Sequence, residues 1–393
     1  MSERISKVVQ DLPPSGIRKF FDLVLGMKDV VSLGVGEPDF VTPWNIREKA
    51  IDSLEQGYTS YTSNKGLVEF RKEIAHFLKS RYDLHYDVEQ EMLITVGVSE
   101  GVDLVMRAIL NPGEKVIVVE PSYVSYKPMT VLAGGEAVVI ATKAEKGFKL
   151  QPEDIEKVCR SHKNVKAILI NYPCNPTGTS YTRKELLAIS RVVRKYDLIV
   201  ISDEVYDELS FEFDHTPFPS LPGMKDRTVY LNGLSKGYAM TGSRIGWVCG
   251  PKDIVAAMTK IHQYTIMCAP ITGQMAGIEA LRNSRKSVVE MRKEYIRRRR
   301  FIVDSLNEMG LSCHVPQGTF YVFPSVRSTG QDALTFAETL LMKKRVAIVP
   351  GTAFGSGLEY HVRMAFASSY DSLKEAVKRM KEYIQTIPSQ GNS

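Results

Sequence analysis

Four short apolar runs recur through the middle of the chain, at residues 116–120, 167–171, 199–203 and 229–232. Each is rich in Val, Ile and Leu and hardly alternates with polar residues, the mark of strands covered on both faces. Helical patterns lie between them, such as RKELLAISRVVRKYD before the third run. This alternation predicts an α/β fold, a large domain with a mainly parallel sheet flanked by helices. A fifth stretch, ITVGVSEGVDLVMRAILNPG at 94–113, predicts a strand, a tight turn at Gly97, and a helix from about Glu100 to Leu110. Asn111, Pro112 and Gly113 stop that helix. From about residue 285 the pattern changes to long charged helices with strand-like TFYVFP and RVAIVP near Gly and Pro. The expected division is an arm with part of a small domain over 1–40, a large domain over 41–284, and a smaller α+β domain over 285–393.

The polar ends of the runs are chemically suggestive. The first leads to Pro121 and Tyr123, and the second to Asn175, Pro176, Thr177 and Gly178. The third ends at Asp203 with Tyr206 just beyond, and the fourth runs into Ser235 and Lys236. In open α/β sheets ligands bind beyond the carboxyl ends of the strands. Four such endings therefore converge on one site. The helix after Gly97 offers free N–H groups at its start, a plausible phosphate cradle. No Gly-x-x-x-x-Gly-Lys-Ser/Thr loop and no Gly-x-Gly-x-x-Gly helix opening occurs, so nucleotide binding is not supported.

Composition narrows the class. The chain has 393 residues, 44% hydrophobic and 24% charged, the balance of an ordinary globular protein. No apolar run of about 18 residues predicts a membrane helix. The N-terminus lacks the apolar core of a signal peptide. The five cysteines are scattered and odd in number, fitting free thiols in a reducing compartment, so a cytoplasmic location is expected. Without Cys-x-x-Cys or His-Glu-x-x-His spacing, no metal site is expected. The net charge of +6 does not demand a nucleic-acid partner. The one basic cluster, Arg297–Arg300 in MRKEYIRRRRFIVDSL, sits beside an apolar stripe of Met291, Tyr295, Ile302 and Leu306. It reads as the solvated face of an amphipathic helix.

Within NGLSKGYAMTGSRIGW (232–247), Lys236 follows an apolar strand. A lysine at a strand end, partly buried, has a lowered pKa and serves as an amine nucleophile toward an aldehyde. Pyridoxal 5'-phosphate is such an aldehyde. It needs an anion for its ring nitrogen, a phosphate site and a ring sandwich. Asp203, costly in a buried strand unless paired, suits the ring nitrogen. The other reading of Asp203 is a cap for EVYDEL. Arg244 offers a bidentate phosphate clamp, with donors from Ser235 and from the turn at Val98, Ser99 and Glu100. Tyr123 could stack on the ring, and Tyr206 and Asn175 could bond its phenolic oxygen.

The motifs carrying these residues are, in order, LGVGEPDF (33–40), YTSNKG (61–66), EPSYVSY (120–126), NPTG (175–178), SDEVY (202–206), SKGYAMTGSRIG (235–246) and HVRMAFA (361–367). In order and spacing they resemble the fold-type I pyridoxal-phosphate aminotransferases of class I and II, over nearly the whole chain. The resemblance implies that Lys236, Asp203 and Tyr206 are catalytic. It implies that Tyr61 reaches the phosphate of a neighbouring subunit's cofactor, hence a homodimer with shared sites. Arg363 is implied to clamp the substrate α-carboxylate, with Gly36 and Asn175 close by. Two positions depart from the pattern. Gly233 stands where many relatives have serine, and Ser243 where many have an aromatic residue. The implied reaction moves an amino group from alanine, or a broad range of amino acids including aromatic ones, to a 2-oxo acid such as 2-oxoglutarate. Aspartate-specific and aromatic-specific transfer, or β-lyase chemistry on the same fold, stay open. Arg18, near the expected arm, has no assigned role.

Overall fold

The computed structural model describes residues 4–14, 16 and 26–387; Arg18 lies outside them. The strands of its largest sheet are buried throughout most of their length because both faces are covered by helices. In chain order the strands are β1 (Val31–Ser32), β2 (Met92–Thr95), β3 (Lys115–Glu120), β4 (Glu136–Ala141), β5 (Val165–Asn171), β6 (Ile199–Asp203), β7 (Thr228–Gly233), β8 (Gly246–Cys249), β9 (Tyr321–Val322), β10 (Val346–Ala347), β11 (Val349–Pro350) and β12 (Val362–Ala365). Seven of them form one sheet in the order β2-β8-β7-β6-β5-β3-β4. Pairings from β4 through β7 are parallel, and β8 alone runs against both its neighbours. The α/β expectation holds, with that antiparallel strand as an addition.

The reversal of β8 matters for the site. Gly233 at the end of β7 pairs with Gly246 at the start of β8. The carboxyl ends of β2, β5, β6 and β7 and the beginning of β8 thus share one rim of the sheet. Gly233 itself is tightly held. A Cβ there would lie 2.8 Å from the Ile245 carbonyl oxygen and 3.0 Å from Gly246 Cα. A serine there would force the neighbouring backbone to shift.

The helix after β2 is α1 (Gly97–Ile109). It starts at Gly97, three residues earlier than the sequence suggested, because Gly97 takes φ +74° and turns directly into it. The helix predicted before β6 is α2 (Arg183–Lys195), opened by a capping box in which Thr182 and Glu185 satisfy each other's backbone N–H groups. Two more helices, α3 (Lys252–Thr265) and α4 (Ile271–Asn283), lead into the long α5 (Arg285–Glu308).

Beyond α5, β9, β11 and β12 form a three-stranded antiparallel sheet, and β10 pairs in parallel with β1 near the N-terminus. On α5 the stripe Met291, Tyr295, Ile302 and Leu306 is buried as its spacing demands. The basic cluster is not wholly a solvated face. Arg298 and Arg299 are buried. Arg298 bridges Asp39 at 2.7 Å and Glu294 at 2.9 Å, and Arg299 bridges Glu212 at 2.6 Å. The second and third basic positions differ because α5 packs against chain segments that carry acids. Among the described residues, no helix is long and apolar enough to cross a membrane, and no His/Cys/Asp/Glu group could hold a metal ion.

Candidate active site

The carboxyl rim of the sheet opens into a cavity of about 330 Å³. Strand ends supply most of its chemistry. Lys236 enters from the loop after β7, Asp203 from the end of β6, and Asn171 from the end of β5. Arg244 arrives just before β8. Arg363 comes from β12, across the cavity from the large sheet.

Lys236 is only partly exposed. Its Nζ donates to the Gly36 carbonyl oxygen at 2.8 Å and lies 5.9 Å from the Tyr206 ring centre and 5.8 Å from that of Phe320. Burial among these rings lowers its pKa to about 8, against an opposing pull from Glu37 and with help from the nearby Arg363 and Arg244. Asp203 is 5% exposed. Its carboxylate accepts from Tyr126 Oη at 2.6 Å and from the Val205 N–H at 3.3 Å. Burial outweighs these bonds and raises its pKa to about 6.

Arg363 is 3% exposed. It donates through Nη1 to Asn175 Oδ1 at 3.0 Å and through Nη2 to the Gly34 carbonyl at 2.6 Å. The Asn175 N–H in turn donates to Asn171 Oδ1 at 2.9 Å. The guanidinium lies 4.5 Å from the Tyr321 ring centre and 4.7 Å from that of Phe354. Its Nε, buried, has no partner.

Arg244 adopts the left-handed conformation, φ +51°. Its Nη1 donates to the Thr241 carbonyl at 3.1 Å, and its Nη2 rests against Gly97, where a Cβ would come within 2.6 Å of it. The start of α1 and this guanidinium therefore share one wall, with Val98, Ser99 and Ser235 beside them.

Of the residues singled out from the sequence, Lys236, Asp203, Tyr206, Asn175, Tyr123, Arg244, Ser235, Val98, Ser99, Gly36 and Arg363 line this cavity. Glu100 does not. Its carboxylate turns away to accept from the Val96 N–H at 2.5 Å and to bond His262 Nδ1 at 2.6 Å. An acid in the first turn of a helix caps its own backbone rather than facing an anion site. Tyr61 is 81% exposed and stands outside the cavity of its own chain. Sequence reasoning missed Tyr126, Asn171, Thr241 and Tyr321, which also line the cavity. Tyr126 was within reach as the second tyrosine of EPSYVSY. Tyr321 was hidden in TFYVFP, which reads only as strand.

Residues 28–380 match the family described as aminotransferase class I and II. The chain belongs to the class I and II aminotransferases. It is 50% identical over 384 residues to the Bacillus subtilis protein YugH, covering 98% of this chain and 99% of that one. It is 43% identical over 388 residues to the aspartate aminotransferase of Pyrococcus abyssi, covering 98% of each. Among solved structures, the aromatic aminotransferase of Pyrococcus horikoshii OT3 superposes with a TM-score of 0.88 at 41% identity, covering 94% of this aminotransferase and 98% of that chain. Pyridoxal phosphate is the family's cofactor.

Proposed function

We propose that this aminotransferase holds pyridoxal 5'-phosphate on Lys236 and moves the amino group of alanine or of a broad set of amino acids, aromatic ones included, to 2-oxoglutarate. The observation that carries the reading is one cavity lined by an amine of lowered pKa, a buried carboxylate and two guanidiniums. The residues fit the cofactor. Asp203 is a buried acid facing no cation bond, which suits a protonated ring nitrogen. Arg244 and the opening of α1 form a cradle that a single Cβ at Gly97 would fill. The buried Arg363 has an unpartnered Nε.

When bound, the cofactor supplies an electron sink for the bond broken at the substrate Cα. The chain's own residues do the rest. Lys236 would hold the cofactor through its aldehyde, with loss of water, and its amine, once freed by substrate, would take the proton from the substrate Cα and return it. Asp203 keeps the ring nitrogen protonated. Tyr206 and Asn175 hydrogen-bond the ring oxygen, and Tyr123 packs on the ring. Arg244, Ser235 and the N–H groups at Val98, Ser99 and Glu100 hold the phosphate. Arg363 binds the α-carboxylate as a fork, with the Gly36 backbone beside it. The two substrates enter in turn, giving ping-pong kinetics.

Two further elements belong to the reading. Tyr61, exposed in its own chain, serves the cavity of a second copy, so the active form is a homodimer with shared sites. The wall of Val35, Val98, Met129, Tyr123 and Tyr321 suits apolar and aromatic side chains, and relatives named for aspartate and aromatic amino acids bracket this range.

The test is a half-reaction. Protein loaded with cofactor is mixed with alanine, aspartate, glutamate or tyrosine singly, and the visible band is followed. Bleaching by alanine and tyrosine at comparable rates is expected. Bleaching by aspartate alone would overturn the substrate range. A protein that gains no visible band with cofactor would overturn the role of Lys236.

A further inference from the structure

Tyr321 stands at a junction that neither the motifs nor the comparisons assign. It is buried on β9, and Ala365 faces it across the pairing with β12. Its hydroxyl lies 3.2 Å from the Tyr206 hydroxyl. Its ring carries the Arg363 guanidinium at 4.5 Å. Its oxygen abuts the loop at Gly36, where a Cβ would sit only 2.0 Å away.

The placement is held at a cost. Thr319, two residues earlier, adopts φ +63°. That conformation is unfavourable for a β-branched residue and persists only where the surroundings enforce it. There the Thr319 Oγ1 accepts from the Tyr321 N–H at 3.1 Å, while the Thr319 N–H donates to the Leu209 carbonyl at 3.0 Å. The strained turn fixes Tyr321 against the loop that carries Tyr206.

A phenol has one proton. If Tyr206 spends its proton on the cofactor ring oxygen, its own oxygen is left to accept. The neighbour placed to donate is Tyr321. A chain of two phenols strengthens the outer bond, because each donor polarises the next. We propose that Tyr321 is a positioning residue: its hydroxyl donates to Tyr206 and directs the Tyr206 proton onto the cofactor ring oxygen, while its ring seats the Arg363 clamp. This rests on the cofactor reading above. The titratable and charged groups facing the pair are Arg363, Asp203, Lys236 and Tyr123.

A proton donated to the ring oxygen stabilises the oxygen's anion and lowers the pH at which the loaded protein deprotonates. Losing the Tyr321 hydroxyl weakens that donor and raises the midpoint. The test compares wild type, Tyr321→Phe, Tyr206→Phe and the double variant, each loaded with cofactor, by titrating the visible band with pH. Tyr321→Phe keeps the ring under Arg363 and is expected to raise the midpoint by about half a pH unit or more, the size of one hydrogen bond. In the Tyr206→Phe background the same change should add nothing. A midpoint that does not move in Tyr321→Phe, or a shift that adds fully in the double variant, overturns the proposal. A Tyr321→Phe protein that cannot load while wild type loads also overturns it, making Tyr321 a binding residue instead. No visible band in wild type removes the cofactor reading and this proposal with it.

Discussion

Tyr126 donates its phenolic proton to Asp203 Oδ2 at 2.6 Å, and both residues are buried in the cavity wall. That bond, the Val205 N–H and, more weakly, the Lys236 charge oppose burial in setting the Asp203 pKa near 6. Tyr126→Phe removes the largest of the three. The carboxyl then titrates higher, so less of it is ionised at neutral pH. A weaker anion holds a protonated ring nitrogen less well. The variant is expected to bind pyridoxal phosphate about tenfold more weakly, the scale of a hydrogen bond to a charged group. The deficit should grow as pH falls from 8 to 6. Equilibrium titration of cofactor-free protein, read by visible absorbance, checks it, and equal affinities across that range would refute it.

Lys236 sets a second pH dependence, through a pKa shifted in the other direction. Only the neutral amine attacks an aldehyde. With a pKa lowered to about 8, roughly a tenth of the lysines are neutral at pH 7, against far fewer than one in a hundred for a free side chain. The rate of cofactor uptake should climb about tenfold per pH unit below 8 and level off above it. Rapid mixing of cofactor-free protein across pH 6 to 10 measures this. A rate that keeps climbing to pH 10 would mean an ordinary solvated lysine.

Much of this site could be read before any coordinates, for a physical reason. Strands covered on both faces must be apolar, so the polar residues that end them stand out, and Asp203 and Lys236 are of that kind. The antiparallel β8 was not legible, because GWVC is too short to carry a direction. Yet β8 is what brings Arg244 to the same rim as Lys236. The fate of Glu100 was also hidden. A carboxylate near a phosphate cradle and a carboxylate capping its own helix look alike in sequence, and only the His262 contact separates them. Arg298 and Arg299 misled in the opposite direction. Four arginines in a row suggest a wet face, and the acids that bury two of them, Asp39 and Glu212, are remote in the chain.

Gly97 tests the phosphate wall. Its φ of +74° already disfavours a side chain. A methyl group there would come within 2.6 Å of Arg244 Nη2, so Gly97→Ala should push the guanidinium out of the cradle. Affinity for pyridoxal phosphate is expected to fall on the order of ten- to a hundredfold. Affinity for pyridoxal, which lacks the phosphate, should change little. Competition by inorganic phosphate should weaken in parallel. Equal losses for both forms of the cofactor would place the damage elsewhere than at the phosphate.

Arg363 separates function from stability. Its guanidinium is buried against two neutral acceptors, Asn175 Oδ1 and the Gly34 carbonyl, with Nε unpartnered. Burial holds its pKa below the ordinary arginine value. A buried charge without a paired carboxylate is costly, and replacing it by an apolar side chain of similar length commonly stabilises a fold. In the proposed reaction the missing anion is the substrate's own carboxylate. Arg363→Lys, which keeps charge but loses the fork, should lower kcat/KM by about a hundredfold or more, mainly through KM. Arg363→Met should abolish transamination, yet raise the melting temperature of the cofactor-free protein by about 2 °C or more. Steady-state kinetics and thermal unfolding read the two effects separately. A melting temperature several degrees lower in Arg363→Met would instead make the guanidinium a structural brace between β12 and the NPTG loop, and the α-carboxylate would need another partner.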